Sequence, residues 1–195
     1  MLKLLIKEIF FSLQGEGANA GKPAVFIRLS GCNLRCSFCD TDFNYARPMT
    51  LMQIFSAITF YECKNIIWTG GEPALQLTDE VISLFRSKGF WQAIETNGTL
   101  PLPNGLDYVS ISPKEEIDPT IKHANEIRII VPDKETLSRL NLSFTFSPDK
   151  IYLSPAFVKN KPNKQLIQDC VNYIKEHSKW NLSLSLQMHK LIGIE

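Results

Sequence analysis

The chain has 195 residues, 44% apolar and 21% charged, with 21 basic side chains against 20 acidic ones. This composition is typical of a globular protein, and we expect a single domain over residues 1–195. The near-neutral balance argues against a nucleic-acid partner, and no apolar run approaches the roughly 20 residues of a membrane helix. The N-terminal segment lacks the pattern of a signal peptide, so we expect a cytoplasmic protein with reduced thiols.

Short apolar runs alternate with helical patterns along the chain. The apolar runs are typical of strands covered on both faces, and they predict strands at 4–11, 24–29, 65–68, 92–95, 108–111, 126–131, 151–153 and 182–186. Helices are predicted from Thr50, where Thr-Leu-Met-Gln forms a capping box, from Thr78 to Gly89, after Pro162 to about Lys179, and more weakly over 134–140.

The alternation of strands and helices predicts an α/β protein with a mostly parallel sheet. The connection 112–125 departs from that pattern, because it is short and contains Pro113 and Pro119. A full crossover helix is not expected there. We therefore predict an incomplete, partly TIM-like barrel with fewer long helices than core strands, and ligands at the C-terminal ends of its strands.

Three cysteines, Cys32, Cys36 and Cys39, follow a predicted strand in a C-x3-C-x2-C spacing. A [4Fe–4S] cube has four irons, so three thiolates leave one iron open. The open iron can bind the methionine part of S-adenosylmethionine (SAM), and one electron from the reduced cluster then cleaves the sulfonium bond to give a carbon radical. The spacing leaves two alternatives open: a structural zinc site completed by Asp40 or a distant histidine, and three unrelated reduced cysteines.

Two further features accompany the cysteines. Phe38 precedes the third cysteine, and Thr69-Gly-Gly-Glu-Pro73 follows the strand predicted at 65–68. The cysteine pattern resembles the signature of the radical SAM superfamily, and Gly-Gly-Glu-Pro resembles its motif that contacts the SAM amino group. Two glycines let the backbone approach a ligand closely, and Glu72 can accept from an ammonium group.

Additional segments make the resemblance more specific. They occur in the family's order and extend over nearly the whole chain. They are Phe11-Ser-Leu-Gln-Gly-Glu-Gly17, Gly21-Lys-Pro-Ala-Val-Phe-Ile-Arg28, Cys39-Asp-Thr41, Glu95-Thr-Asn-Gly98, Ser112-Pro-Lys114 and Gln187-Met-His-Lys190. The set resembles the 7-carboxy-7-deazaguanine synthase family of queuosine and 7-deazapurine biosynthesis. This resemblance implies a reduced barrel of about six core strands and three long helices, usually assembled as a homodimer.

The resemblance also implies a reaction. A carbon–nitrogen lyase of this family converts 6-carboxy-5,6,7,8-tetrahydropterin to 7-carboxy-7-deazaguanine with loss of ammonia. Its cofactors are the [4Fe–4S] cluster, SAM and Mg²⁺, and an external flavodoxin or ferredoxin supplies the electron. The cofactor performs the chemistry, so no side chain is assigned a catalytic step beyond positioning the cofactor.

By the same resemblance, each site residue has an expected role. The expected substrate contacts are Leu13, Gln14, Gly15, Arg28 and Thr96, with Arg28 pairing with the substrate carboxylate. The expected SAM contacts are Phe38, Asp40, Gly71, Glu72, Gly98, Ser112, Pro113, Lys114, Gln187, Met188, His189 and Lys190. Cys32, Cys36 and Cys39 would hold the cluster, and the Thr41 hydroxyl would bind Mg²⁺.

Plainer roles compete with these assignments. Arg28 could be an exposed strand residue, Thr41 a turn cap, and the loop around Gln14 merely solvated. Lys114 could be surface charge and His189 a packing residue. The family also places a C-terminal residue, often proline, near the substrate, whereas this chain reads Gly193-Ile-Glu195.

Two other function classes remain. An activase that puts a glycyl radical on a partner protein shares the cysteine motif, but it would not be expected to carry Gln14-Gly-Glu-Gly17 with Arg28. A zinc-stabilised binding module has no use for the Gly-Gly-Glu-Pro and Ser-Pro-Lys loops.

Overall fold

A computed structural model describes residues 2–36, 45–114, 121, 123–140, 142, 144, 146–157 and 161–194. Within these residues nine strands form one sheet in the order β3-β1-β2-β4-β5-β6-β7-β8-β9. The strands are β1 (Lys3–Leu13), β2 (Pro23–Leu29), β3 (Arg47–Thr50), β4 (Asn65–Gly70), β5 (Trp91–Thr96), β6 (Tyr108–Ile111), β7 (Glu126–Val131), β8 (Lys150–Pro155) and β9 (Leu182–Leu184).

The sheet is mixed and open. β1 pairs antiparallel with β2 and β3, whereas the pairings from β2 through β9 are all parallel. The edge strands β3 and β9 do not pair with each other in the described part of the chain. Six parallel strands have four to seven residues, and β9 adds a short seventh. The predicted α/β incomplete barrel is confirmed.

All eight predicted strands are present, and one was missed. β3 has the sequence Arg-Pro-Met-Thr, which shows neither an apolar run nor a clear alternation. It forms because residues 47–50 pair with residues 3–6 of β1. An edge position also tolerates Pro48, because an edge strand needs backbone donors on one side only.

Five helices lie between or after the strands: α1 (Leu51–Thr59), α2 (Asp79–Ser87), α3 (Lys134–Ser138), α4 (Lys164–Glu176) and α5 (Met188–Ile192). The capping box at Thr50 is confirmed, since the Gln53 amide donates to Thr50 Oγ1 and the Thr50 amide donates to Gln53 Oε1 (3.3 and 2.8 Å). The described residues between β6 and β7 form no helix, as the short connection predicted.

The predicted third helix was too long, and the last helix was missed. α4 ends at Glu176, because the backbone leaves helical geometry at His177 and continues as a 3-10 turn over Ser178–Trp180. Asn181 then adopts a left-handed conformation that turns the chain into β9. The five-residue α5 is too short for a helical period to show in the sequence.

Apolar side chains cover the sheet on both faces. Trp68 of β4 packs edge-on against Phe85 of α2, with ring centroids 5.3 Å apart, inside a cluster formed with α1. On the other face, Phe10 and Phe26 stack at 4.9 Å beside Ile67. Burial of each large apolar side chain stabilises the fold by about 1.5–3 kcal/mol. None of the described helices combines the length and apolar character that crossing a lipid bilayer requires.

We predict that Gly70→Ala destabilises the protein by about 2 kcal/mol or more. Gly70 has φ 121°, and a Cβ there would lie 2.1 Å from the carbonyl oxygen of Leu29 in the paired strand. Thermal unfolding measures the effect, with Gly89→Ala as the matched control. Gly89 also has positive φ (76°) but open space around its Cβ position. An equal loss of stability in the two variants would contradict a role for the close contact between residue 70 and the Leu29 carbonyl.

Candidate active site

A cleft of about 710 Å³ lies at the C-terminal ends of the parallel strands. Its walls come from the ends of β2 and β4 through β8, from residues 13–16, and from α5. This is the edge at which ligands bind in open α/β sheets and barrels. The predicted site residues that line it are Leu13, Gln14, Gly15, Arg28, Cys32, Cys36, Gly71, Thr96, Ser112, Lys114, Gln187, His189 and Lys190.

Other predicted site residues are placed differently. Glu72, Gly98, Pro113 and Met188 are described but do not line the cleft. Phe38, Cys39, Asp40, Thr41 and Glu195 lie outside the described residues. The third cluster cysteine and the Mg²⁺ ligand therefore stay predictions.

The cysteine loop is held by the backbone of the Gly-Gly-Glu-Pro segment. The Gly71 amide donates to the Leu29 carbonyl (3.1 Å), and the Glu72 amide donates to the Gly31 carbonyl (2.8 Å). These bonds continue the β2–β4 pairing past the ends of both strands. As a result, Cys32, Cys36 and Gly71 line the same cleft.

Glu72 lies behind the cleft wall. Its carboxylate is fully buried and accepts from the Ala74 amide (2.9 Å), the Thr96 hydroxyl (2.8 Å) and the Asn97 amide (2.8 Å). The structure therefore shows Glu72 fixing the end of β5, which the sequence did not reveal. Contact between Glu72 and an ammonium group stays a prediction.

A ring of three side chains joins the cysteine loop to the residues after β5. Asn33 Nδ2 donates to Thr99 Oγ1 (2.8 Å), Thr99 Oγ1 donates to Asn97 Oδ1 (2.7 Å), and Asn97 Nδ2 donates to Asn33 Oδ1 (3.0 Å). Sequence reasoning missed these positioning residues. The available signal was the polar run from Thr96 to Thr99 at a strand end.

Arg28 brings a cation to the cleft. Its Nε lies 2.6 Å from Glu8 Oε1, and its guanidinium lies 5.7 Å from the centre of the Phe10 ring. The side chain is 29% exposed and lines the cleft, and its pairing with a substrate carboxylate stays a prediction. Exposed ion pairs contribute about 0–1 kcal/mol, which leaves the guanidinium able to exchange Glu8 for another anion.

A buried charge network forms the floor of the cleft. The Arg128 side chain is 7% exposed, and its three guanidinium nitrogens contact three carboxylates: Nη2 to Glu95 (2.6 Å), Nε to Glu126 (3.3 Å) and Nη1 to Glu16 (3.4 Å). Arg128 Nε also donates to Ser110 Oγ (3.0 Å). Sequence reasoning missed this network, although charged residues within the apolar runs at 92–95 and 126–131 could have indicated it.

The network shifts the pKa values of Glu95 and Arg128 in opposite directions. Burial raises the pKa of Glu95, but the charge of Arg128 and hydrogen bonds from Thr69, Gln14 and Arg128 outweigh it and lower the pKa to about 2. For Arg128, burial lowers the pKa, and the three carboxylates outweigh it and raise the value. Both groups of this closest pair are therefore charged at neutral pH.

Residues 14–16 and α5 build one wall together, although they come from opposite ends of the chain. The Met188 amide donates to the Gly15 carbonyl (3.0 Å), and Gln187 Nε2 donates to Glu16 Oε1 (3.1 Å). A Cβ at Gly15 would lie 2.1 Å from His189 Nδ1, so this contact needs glycine. Gln14 is buried, so the plainer assignment to a solvated loop does not describe this segment.

The residues present fit an iron–sulfur cluster and SAM. Thiolates are the ligands of such clusters, and Cys32 and Cys36 line the cleft. Gln187 Oε1 is buried and has no hydrogen-bond partner among the described residues. A buried acceptor of this kind can be satisfied by a donor group of a bound cofactor.

We predict that Glu95→Gln weakens the acid sensitivity of the fold. A carboxyl whose pKa is lowered from 4.5 to about 2 stabilises the folded protein above pH 4.5, and this contribution is lost as the pH falls toward 2. The free energy of unfolding of the variant, measured in urea at pH 7, 4.5 and 3, should be lower at pH 7 and should fall less on acidification. The control is Glu135→Gln, in an exposed pair on α3. If the free energy of unfolding of Glu95→Gln fell with pH as steeply as that of the parent, Glu95 would not be the source of the acid sensitivity.

Comparison with known proteins extends these observations. A family model described as the radical SAM superfamily matches residues 26–179. A 7-carboxy-7-deazaguanine synthase of Bacteroides thetaiotaomicron is 41% identical over 189 residues, covering 97% of both chains. One of Haemophilus influenzae is 39% identical, covering 97% of this chain and 93% of the other.

The fold has a solved counterpart. The crystal structure of QueE from Escherichia coli superposes with a TM-score of 0.74 at 25% identity, over 96% of this chain and 95% of the other. The superfamily match begins within β2 and spans the cysteine loop, the Gly-Gly-Glu-Pro segment and the strands that carry the cleft. The likeness to the synthases runs over nearly the full length, so the chain belongs to the 7-carboxy-7-deazaguanine synthase family within the radical SAM superfamily.

Proposed function

We propose that this protein converts 6-carboxy-5,6,7,8-tetrahydropterin to 7-carboxy-7-deazaguanine with loss of ammonia, in the biosynthesis of 7-deazapurines. One observation carries the proposal: the cysteine loop, the Gly-Gly-Glu-Pro segment and residues 13–16 line a single cleft in a chain of this family. The segments proposed to bind the cofactor and the substrate, which are distant in sequence, thus line one cleft.

The cofactor half of the cleft would hold the cluster and SAM. Cys32 and Cys36, with Cys39, would ligate a [4Fe–4S] cluster that, together with SAM, supplies a carbon radical able to abstract hydrogen from the substrate. The chain's own part is to hold and orient these groups and to exclude water. The proposed SAM contacts are Phe38, Asp40, Gly71, Glu72, Gly98, Ser112, Pro113, Lys114, Gln187, Met188, His189 and Lys190.

The substrate half would orient the pterin. Arg28 is the cation on the cleft surface best suited to a carboxylate, because its planar guanidinium can donate two parallel hydrogen bonds. Thr96 Oγ1 donates to Glu72 and accepts from the Gly98 amide (2.8 and 3.1 Å), which fixes that side chain in the wall. Leu13, Gln14 and Gly15 also line the cleft.

Three further parts belong to the proposal. Thr41 would bind Mg²⁺ through its hydroxyl, in keeping with the preference of this cation for oxygen ligands. A flavodoxin or ferredoxin would supply the electron from outside. A homodimer and a single domain over 1–195 stay predictions.

Anaerobic reconstitution tests the proposed function. The protein would be loaded with iron and sulfide and supplied with SAM, Mg²⁺, a reductant and 6-carboxytetrahydropterin, with the product identified by mass. We expect a brown protein that forms 7-carboxy-7-deazaguanine. We also expect Cys36→Ala to lose SAM cleavage and most of the bound iron, whereas Cys63→Ala, a matched change away from the cleft, keeps both.

The other outcomes contradict the proposal in different ways. SAM cleavage without that product would remove the substrate assignment and favour the glycyl-radical activase. A colourless protein that holds zinc would remove the radical chemistry altogether. Full iron content in Cys36→Ala would remove this residue from the cluster ligands.

The Mg²⁺ assignment has its own test. We expect Thr41→Ala to need at least about tenfold more Mg²⁺ for half-maximal rate, because the loss of one direct oxygen ligand weakens the site. Thr59→Ala, at the exposed end of α1, is the control and should keep the parental Mg²⁺ dependence. An unchanged Mg²⁺ titration in Thr41→Ala would remove the residue as a ligand.

A further inference from the structure

We propose that Arg128 is the positioning residue for the substrate side of the cleft, and that it acts through Glu16, Glu95 and Glu126. These carboxylates tie residues 14–18, here called the entry loop, to the ends of the parallel strands. The inference rests on the proposed function, because the entry loop contains two of the proposed substrate contacts.

The geometry of Arg128 suits this role. Its three nitrogens each contact a different carboxylate, at 2.6, 3.3 and 3.4 Å. Arginine can do this because its guanidinium is a rigid fork with five N–H donors, whereas lysine offers one compact ammonium. Arg128 therefore connects the entry loop, β5 and β7 at one buried point.

Each carboxylate in turn holds part of the entry loop. Glu95 accepts from Gln14 Nε2 (3.0 Å), so it fixes the first residue of the loop. Glu126 accepts from the Ala18 amide (2.8 Å), and its Oε1 lies only 2.3 Å from where a Gly17 Cβ would stand. Glu16 is itself in the loop and contacts Arg128 directly. The loop is thus linked to the guanidinium at both ends and in the middle.

The electrostatics explain why the three carboxylates depend on this one cation. They surround one guanidinium and are mostly buried, so their like charges repel more strongly than they would in bulk water. Glu95 and Glu126 belong to sheet strands, whereas Glu16 lies on a loop. When the guanidinium is weakened, Glu16 is the carboxylate that can move at least cost. Its movement shifts the middle of the entry loop, while the Met188 amide still holds the Gly15 carbonyl.

A purely structural ion-pair network would behave differently. It would lower the melting temperature and would disturb cofactor and substrate binding together. A positioning role instead raises the KM for the pterin, because the proposed substrate contacts Gln14 and Gly15 lie on the entry loop and move with it. The cysteine loop keeps its position in that case, since it is held by Glu72 and by the ring of Asn33, Asn97 and Thr99. The Met188 amide also keeps its bond to the Gly15 carbonyl, because that bond involves no carboxylate.

The test uses the reconstituted enzyme and Arg128→Lys, which keeps the charge and removes the fork. We expect at least about a tenfold rise in KM for 6-carboxytetrahydropterin, with SAM cleavage in the absence of substrate within about twofold of the parent. Hydrogen exchange of the Gly17 and Ala18 amides should be at least about tenfold faster, with the β4 amides unchanged. Arg86→Lys, in an exposed pair with Asp107 on the outer surface, is the matched control and should change neither quantity.

A second variant keeps the proposal testable if Arg128→Lys does not fold. Glu16→Gln removes one loop carboxylate and leaves Arg128 paired with Glu95 and Glu126. We expect it to keep the parental melting temperature within a few degrees, to speed exchange at Gly17, and to raise the KM for the pterin in the same direction.

Two results would overturn the proposal. In the first, KM and exchange in the entry loop stay within twofold of the parent. In the second, KM, SAM cleavage and exchange across the sheet all change together, which is the mark of a structural role only. Exchange and SAM cleavage need no pterin, so an enzyme inactive on this substrate would disprove the proposed function while the loop measurement still decides the role of Arg128.

Discussion

The buried contact between Arg128 and its three carboxylates is the constraint around which the cleft is organised. Taking such charges out of water costs several kcal/mol each, and their mutual attraction often does no more than offset that cost. Apolar side chains in the same strands would stabilise the sheet at least as well. A gain in stability therefore explains the arrangement poorly. Its role is to fix the entry loop, which is distant in sequence from Arg128 on β7.

In the cofactor half of the cleft, neutral groups and one carboxylate hold the loops that follow the strands. Parallel strands end with unpaired amides and carbonyls, and a loop that follows each strand must satisfy them. Here the Gly71 and Glu72 amides pair with carbonyls of residues 29 and 31, while the Glu72 carboxylate holds the end of β5. These bonds position residues 31–33 of the cysteine loop. The cofactor half of the cleft is thus held by these hydrogen bonds, and the substrate half is held by ion pairs with one guanidinium.

Local sequence patterns predicted most of the elements and much of the site. Apolar runs and caps act over a few residues, so the eight apolar strands and the start of α1 could be predicted. β3 lacks an apolar run and α5 has only five residues, and each is held by contacts with a distant segment, β1 or Gly15. Motif resemblance likewise found Cys32, Arg28 and Gln14 in the cleft, but not Arg128, Glu126 or the Asn33 ring, whose partners are distant in sequence.

The sequence by itself determined the fold class, the family and the identity of the cleft-lining motifs, because strand periodicity and the spacing of cysteines and glycines are written in short segments. Only the tertiary structure decided how those motifs are held. It placed Glu72 behind the wall, joined residues 14–16 to α5 across the length of the chain, and set three carboxylates around Arg128. The physical reason is that charge pairing and close packing depend on distances in space, which parallel strands create between residues far apart in the chain.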